Sequence, residues 1–302
     1  MSYFLRQASL GLALLGLSLP LRAEVLGSLI GGFGQASLAD RPAALGDLVF
    51  NPSRLSLTED GASLVLLTNG DLVAFLGPLT AQLASSKDQK TELQVGAGQV
   101  WGRFTHPARL QFPFLTLSLS KGELMALSSP TQIKLQALTE PLELLFSGRS
   151  FTLERGNEIT LTPTTARPDL AIRAIVTPLR LESSSPELVL PSAGTLPVGL
   201  TAHWAGSPLP HKVKGFLFSG SPLVQISQPV QWFQGPQQEM EIQVLGPGSF
   251  RVNLWLEGEG DHSPTLAPLK LEAFPGSANK NLLLRTSQGT LKLVLVPKPA
   301  TP

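Results

Sequence analysis

Residues 64–76 read Leu-Val-Leu-Leu-Thr-Asn-Gly-Asp-Leu-Val-Ala-Phe-Leu, two apolar runs on either side of Asn69-Gly70. Short apolar runs bounded by turn-forming residues are typical of β-strands. Asn and Gly both tolerate the positive φ that a two-residue hairpin turn requires. We therefore expect a β-hairpin that turns at Asn69 and Gly70.

The same short strands continue along the chain. Phe151 and Leu153 face Ile159 and Leu161 across residues 154–158, which predicts a second hairpin. Alternation of apolar with polar or small residues, typical of half-buried strands, recurs at 196–204, 240–244, 250–256, 267–273 and 291–295. Trp255 is out of phase with the apolar residues of its run and is expected on the opposite face of the sheet. We predict an all-β protein of the sandwich or barrel type.

Composition excludes several classes of function. The 302 residues carry a net charge of +1, with 15% charged residues and no Cys. A protein that follows nucleic-acid phosphates needs a basic field, which this chain lacks. The absence of Cys excludes disulfides, thiolate zinc sites, iron–sulfur clusters and a cysteine nucleophile.

The N-terminus has the pattern of a secretory signal peptide over residues 1–23. Arg6 precedes an uncharged, Leu-rich stretch at 8–21, and Ala23 provides a small residue at the cleavage point. Cleavage there leaves 21 basic and 22 acidic groups, a net charge of −1. We expect a periplasmic or extracellular bacterial protein without a transmembrane span in the mature chain. The alternative is that the segment is retained as an anchor.

Proline-rich stretches predict the domain boundaries. Pro163 and Pro168 lie among small polar residues, and a second Pro/Ser stretch follows at 183–186. We expect a first β domain at 24–163, a linker at 164–186, a second β domain at 187–296, and a Pro-rich tail at 297–302.

The first of these domains resembles the FecR-type domain, a periplasmic β module of bacterial iron-citrate sensors and other exported proteins. The matching stretches are 44–49, 64–73, Gly98-Gln99-Val100-Trp101 and 147–159. The chain departs from the family pattern at 120–125, where Ser-Lys-Gly-Glu-Leu-Met stands in place of an Arg-Gly-Thr-x-Phe-like centre. The resemblance implies a binding or sensing module without catalytic residues. Transcriptional signalling is not expected to carry over, because no cytoplasmic segment precedes the signal peptide.

The second domain resembles a bacterial immunoglobulin-like or fibronectin-type sandwich. Its strand spacing and the central Trp204 carry this resemblance. It concerns architecture and implies no function.

Recognised catalytic patterns are absent from the sequence. There is no Gly-x-Ser-x-Gly, His-Glu-x-x-His, P-loop or EF-hand loop. The four histidines have no metal-ligand spacing. We therefore predict no catalytic residues and no cofactor.

Two clusters are candidate binding residues. Glu257, Glu259 and Asp261 lie in a Gly-rich stretch and offer oxygen ligands suited to Ca²⁺. The alternative is a solvated hairpin loop. Trp232 and Phe233 precede Gln-Gly-Pro and form a candidate ligand-binding aromatic pair, with core packing as the alternative.

These observations predict an exported, non-enzymatic binding or assembly protein of a bacterial cell envelope. Its expected partner is an envelope protein or a cell-wall glycan. One alternative is a carbohydrate- or cell-wall-binding protein, favoured if Trp232 and Phe233 are exposed on one face. Others are a hydrolase with a non-standard site, favoured by carboxylates in a deep pocket, and a pilus or surface-layer subunit, favoured by an uncharged free edge strand. The oligomeric state stays open.

Overall fold

A computed structural model describes residues 24–59, 61–86, 90–175, 179–183, 187–190, 198–204, 213–226, 230–233, 239–258, 265–273, 280–287 and 290–297. Beyond residue 175 it describes side chains mainly at 215–224 and 245–255. The predicted signal peptide at 1–23 lies outside the described residues.

The first half of the chain forms two nine-stranded sheets, with strands numbered β1 to β29 in chain order. Sheet A contains, from one edge to the other, β18 (Ile172–Ala174), β17 (Asn157–Leu161), β14 (Ile133–Ala137), β13 (Gly122–Ser128), β10 (Gly98–Phe104), β7 (Leu72–Leu76), β6 (Ala62–Leu67), β1 (Val25–Phe33) and β4 (Leu48–Phe50). Sheet B contains β16 (Arg149–Leu153), β15 (Leu142–Phe146), β12 (Leu115–Leu119), β11 (Ala108–Gln111), β9 (Thr91–Val95), β8 (Leu79–Ser85), β5 (Ser53–Leu57), β2 (Ala36–Leu38) and β3 (Arg41–Pro42).

The chain builds both sheets together. It adds one or two strands to sheet A, crosses to sheet B, and returns, so strand order in each sheet largely follows sequence order. Neighbouring strands are antiparallel except β9 and β11, which are parallel. The inward-facing aliphatic and aromatic side chains of both sheets form one core, which includes Val65, Phe75, Leu93 and Leu117.

The second half forms two further sheets. Sheet C contains β19 (Leu179–Ser183), β21 (Val198–Trp204), β29 (Thr290–Pro297), β28 (Lys280–Ser287), β25 (Glu239–Val244) and β23 (Val224–Ile226). Sheet D contains β20 (Glu187–Leu190), β27 (Thr265–Ala273), β26 (Gly248–Gly258), β22 (Val213–Ser219) and β24 (Val230–Phe233). The described residues contain no α-helix, and a single 3-10 turn (Pro168–Ala171) precedes β18. The predicted all-β fold class is confirmed.

The hairpin at 64–76 is confirmed, with a different turn. β6 and β7 pair antiparallel, with Leu66 opposite Leu72. Gly70 donates its N–H to the carbonyl of Leu67 at 2.9 Å and has φ +86°. This is the geometry of a three-residue loop that ends in a left-handed glycine. The expected two-residue turn is therefore wrong, and only Gly70 takes a positive φ in it.

The predicted hairpin across 154–158 is wrong. β16 pairs with β15 in sheet B, whereas β17 pairs with β14 in sheet A. Gly156, at φ +78°, lies where the chain crosses from one sheet to the other, and its N–H bonds the carbonyl of Ala137 at 2.8 Å. Alternation marks each strand correctly but carries no information on which sheet receives the next one.

Sheets A and B end at Ala174, and sheets C and D begin at Leu179. The predicted linker at 164–186 contains β18, which pairs with β17, and β19, which pairs with β21. The predicted domain boundaries and the immunoglobulin-like character of the second half stay predictions.

Sheet D packs against the outer face of sheet A. Trp101 and Met125 of sheet A share one buried cluster with Phe216, Phe218 and Trp255 of sheet D. The rings of Trp101 and Phe218 lie 5.0 Å apart between centroids, within the range of favourable aromatic pairs. Trp255 faces away from Phe250, Val252 and Leu254, as its phase predicted, and is buried here.

An ion pair between Arg251 of sheet D and Glu123 of sheet A lies at the edge of this contact. The two terminal guanidinium nitrogens of Arg251, Nη1 and Nη2, donate to the carboxylate of Glu123 at 2.6 and 3.0 Å. The Glu123 side chain is only 8% exposed, whereas that of Arg251 is 37% exposed. A bidentate pair of this kind fixes orientation as well as adding energy.

Candidate functional site

The outer face of sheet B is polar because its strands alternate strictly. In β8 and β9, Leu83 and Leu93 point into the core, whereas Gln82 and Gln94 are exposed. In β11, Leu110 is buried and Gln111 is exposed. Alternate residues of a strand lie on opposite faces, so one face of this sheet carries almost only polar side chains.

Strand register places the glutamines in one line. Gln82 lies opposite Gln94, and Gln94 opposite Gln111. We name Gln82, Gln94 and Gln111 the amide row. Arg54 of β5 lies opposite Gln82 at one end, and Thr116 of β12 lies opposite Gln111 at the other. At a strand spacing of about 4.8 Å, the line from Arg54 to Gln111 spans about 14 Å.

A shallow groove follows the amide row. Its volume is about 450 Å³, and Arg54, Thr80, Phe112 and Pro113 line it together with the amide row. Pro113 is exposed in the turn between β11 and β12, which the Phe112 N–H closes on the carbonyl of Leu115 at 2.8 Å. The groove therefore has polar side chains along its length and apolar atoms at one end.

The side chains along this groove have unused hydrogen-bonding capacity. Among the described residues, the amide row and Arg54 have no side-chain hydrogen bond or ion pair. Elsewhere, some outward-facing polar side chains do pair: Thr152 donates to Glu143 at 3.0 Å on sheet B, and Gln136 donates to Glu158 at 2.9 Å on sheet A. The amide row is thus available for a ligand.

Charges on the outer face of sheet B balance. Glu92 lies opposite Arg109 in the next strand, and Glu143 lies farther along the sheet. With Arg54 included, the described residues in the strands of sheet B place two cations and two anions on this face. Its field therefore favours no charged ligand over a neutral one.

A buried polar cluster at the first hairpin is structural. Asp71 is fully buried, and its carboxylate accepts hydrogen bonds from Asn69 Nδ2, Thr91 Oγ1, Thr105 N and Oγ1, and His106 N at 2.7 to 3.3 Å. Thr91 begins β9, so Asp71 ties a loop of sheet A to sheet B. These donors leave the carboxylate little capacity for a ligand.

The edges of sheets A and B are poorly suited to strand addition. β3 has two residues, one of them Pro42, and β4 and β18 have three residues each. β16 begins with the exposed Arg149. Short strands, prolines and charges are the usual means by which proteins block edge-to-edge pairing. A binding surface on this half is therefore more plausible on a face than on an edge.

The predicted binding residues fall largely outside the described part of the structure. Trp232 and Phe233 lie in β24, an edge strand of sheet D, opposite Lys214 and Val213, and their side chains are outside the described residues. Glu257 lies in β26 opposite Lys214. Glu259 and Asp261 lie outside the described residues. The aromatic pair and the calcium site stay predictions.

The described residues contain neither a cluster of metal ligands nor a membrane-spanning helix. None of their acidic and histidine side chains form a group of three or more that could hold a metal ion. No helix in this part of the chain is long and apolar enough to cross a bilayer.

The amide row was not among the predicted site residues. Each of its glutamines stands between two apolar residues, as in Ala81-Gln82-Leu83, Leu93-Gln94-Val95 and Leu110-Gln111-Phe112. This recurrence of Gln at outward positions was the available signal. The three glutamines form one row only because the register of the strands brings three separate segments into line. That register cannot be read from the sequence.

Comparisons with known proteins assign no family. No protein-family model matches the chain, and no curated protein matches it significantly. Two crystal structures of a "putative anti-sigma factor" from Parabacteroides distasonis share 11% and 10% identity with this chain. They cover 38% and 37% of it, each with a TM-score of 0.35, and the chain spans 56% of the length of each. These values are too low to assign a fold family or a function.

Proposed function

We propose that this chain is an exported, non-enzymatic binding protein of a bacterial cell envelope, with the groove along the amide row as its binding surface. The signal-like segment at 1–23 supports export. The resemblance of 24–163 to the FecR-type domain supports a periplasmic binding module.

The observation that carries the proposal is the unused hydrogen-bonding capacity of the amide row. Gln82, Gln94 and Gln111 offer an aligned set of donors and acceptors at about 4.8 Å intervals along a groove. The backbone of these residues is already held in strands, so binding orders only their side chains and costs less entropy than it would on a mobile loop.

Retention on isolated envelope tests the proposal. The full chain would be expressed in a bacterium, purified from its envelope fraction, and mixed with washed envelopes. We expect the triple variant Gln82→Ala, Gln94→Ala and Gln111→Ala to lose most of its retention. The matched control replaces Gln35 and Gln132, exposed glutamines in turns that do not line the groove, with Ala.

Equal retention of the triple variant and the native chain would overturn the proposal. Circular dichroism of both proteins distinguishes a loss of binding from unfolding, because a folded variant keeps the native β-sheet spectrum. Loss of retention in the Gln35 and Gln132 control as well would also contradict the proposal, because it would show that exposed glutamines contribute without regard to position.

A further inference from the structure

We infer that the ligand of the groove is an uncharged, extended polysaccharide that lies across the strands along the amide row. This inference rests on the proposed function and names the ligand class of the same site. It is carried by the chemistry of the side chains, the charge of the face and the shape of the groove.

Amide side chains match the hydrogen bonding of sugar hydroxyls. A hydroxyl both donates and accepts, and so does each glutamine amide through its NH₂ and its carbonyl oxygen. The amide row repeats this chemistry on three successive strands, and Arg54 adds a hydrogen-bond donor on a fourth. A chain of sugars that crosses the strands meets a new donor and acceptor at every step of about 4.8 Å.

The balanced charge of this face gives a charged glycan no advantage over a neutral one. The lining of the groove includes one cation, Arg54, and no carboxylate. Glu92 lies two residues before Gln94 on the same face and would repel an acidic chain, while Arg109 beside it limits any preference for cations. A charged ligand must be paired with an opposite charge to offset the cost of removing it from water, whereas an uncharged ligand needs only hydrogen bonds.

The apolar end of the groove fits a sugar ring. Pro113 is exposed there and supplies the accessible apolar surface, since Phe112 beside it is almost fully buried. Sugar rings present C–H groups on their faces, which pack against apolar surfaces while the hydroxyls at the ring edge bond polar groups. The groove places these two kinds of contact side by side.

A protein partner is less consistent with this surface. Protein interfaces are anchored by aromatic residues and Arg in desolvated pockets. Among the described lining residues only Phe112 is aromatic, and Arg54 is exposed rather than in a desolvated pocket. Phe112 is 3% exposed and offers little surface. Extended peptides usually add to sheet edges, which are short or charged in sheets A and B.

Calorimetric titration of the purified full chain with defined oligosaccharides tests the inference. The probes are N-acetylated chitohexaose, cellohexaose and mannohexaose, with oligogalacturonate as the acidic comparison. We expect at least one neutral hexamer to bind, and to bind at least about tenfold more tightly than the acidic one. Gln94→Ala is expected to weaken that binding several-fold, and the triple variant by about tenfold or more.

Three outcomes would overturn the inference. In the first, only oligogalacturonate binds. In the second, a neutral hexamer binds the triple variant as tightly as it binds the native chain. In the third, none of the probes binds. Failure here leaves the proposed function intact if the triple variant still loses retention on whole envelopes. If envelope retention is also unchanged, both proposals fail, so the two experiments separate them.

Discussion

The two outer faces of the sandwich formed by sheets A and B differ in what covers them. On sheet A, outward residues such as Leu64, Ala74 and Trp101 are apolar and buried under sheet D. On sheet B, outward residues such as Gln82 and Gln94 are polar and exposed. A sheet that is covered on both faces needs apolar residues throughout, whereas a sheet with one wet face alternates.

This difference separates stability from binding. Each large apolar side chain buried on the outer face of sheet A contributes about 1.5–3 kcal/mol to folding. An exposed glutamine on sheet B contributes close to nothing, since surface substitutions usually change stability by less than about 0.5 kcal/mol. The covered face of sheet A therefore holds the two halves of the chain together. Residues on the open face of sheet B can be substituted at little cost in stability, so they can be selected for ligand binding.

The largest effect is expected at Trp101. Replacing this fully buried residue with Ala removes its contact with Phe218 and leaves a cavity, so we expect a loss of about 3–5 kcal/mol in the free energy of unfolding. Urea denaturation measures this loss. If the variant does not fold, Trp101→Phe keeps most of the volume and is expected to lose a smaller amount. If the free energy of unfolding of Trp101→Ala lies within about 1 kcal/mol of the native value, as for a surface substitution, Trp101 is not buried beneath sheet D.

Asp71 gives the next largest effect. Asp71→Asn puts an NH₂ group where every neighbour is a donor, so we expect a loss of about 3 kcal/mol through the broken charge-assisted bonds. Thermal and urea unfolding at neutral pH report it. Asp47→Asn, at a half-buried acid whose carboxylate accepts a hydrogen bond from the Ala44 N–H in a turn, is the control and should cost less than about 1 kcal/mol.

The ion pair at the margin of the covered face is expected to matter less. Glu123→Ala leaves Arg251 without its bidentate partner, and we expect a cost of about 2 kcal/mol because Arg251 keeps access to water. A double-mutant cycle with Arg251→Ala isolates the pair energy. A coupling near zero would show that the pair does not hold sheet D against sheet A.

The smallest effect on stability belongs to the amide row. Each single Ala substitution at Gln82, Gln94 or Gln111 is expected to change the free energy of unfolding by less than about 0.5 kcal/mol. Urea denaturation of the three variants beside Gln132→Ala tests this. A loss above 1 kcal/mol in any of the three would give that glutamine a structural role, and would weaken its assignment to binding.

The sequence predicted the strands better than their pairing. The hairpin at 64–76 is local, so its apolar runs and Gly70 were sufficient to locate it. The crossing at 154–158 was misread as a hairpin, because the choice between pairing and crossing depends on the second sheet beneath it. The amide row depends on the register of β8, β9 and β11, which long-range packing decides. Trp255 was placed on the correct face by its phase, but its burial against sheet A required the fold.

Hydroxyl-radical footprinting of the purified full chain tests the contrast between the two outer faces most directly. Met125 and Trp101 are intrinsically reactive yet almost fully buried beneath sheet D, whereas Leu145 on the outer face of sheet B is 45% exposed. We predict that Met125 and Trp101 are protected in the native protein and oxidised only after unfolding, while Leu145 is oxidised in both states. Rapid oxidation of Met125 and Trp101 in the folded protein would contradict the account, because the covered face would then be open to solvent.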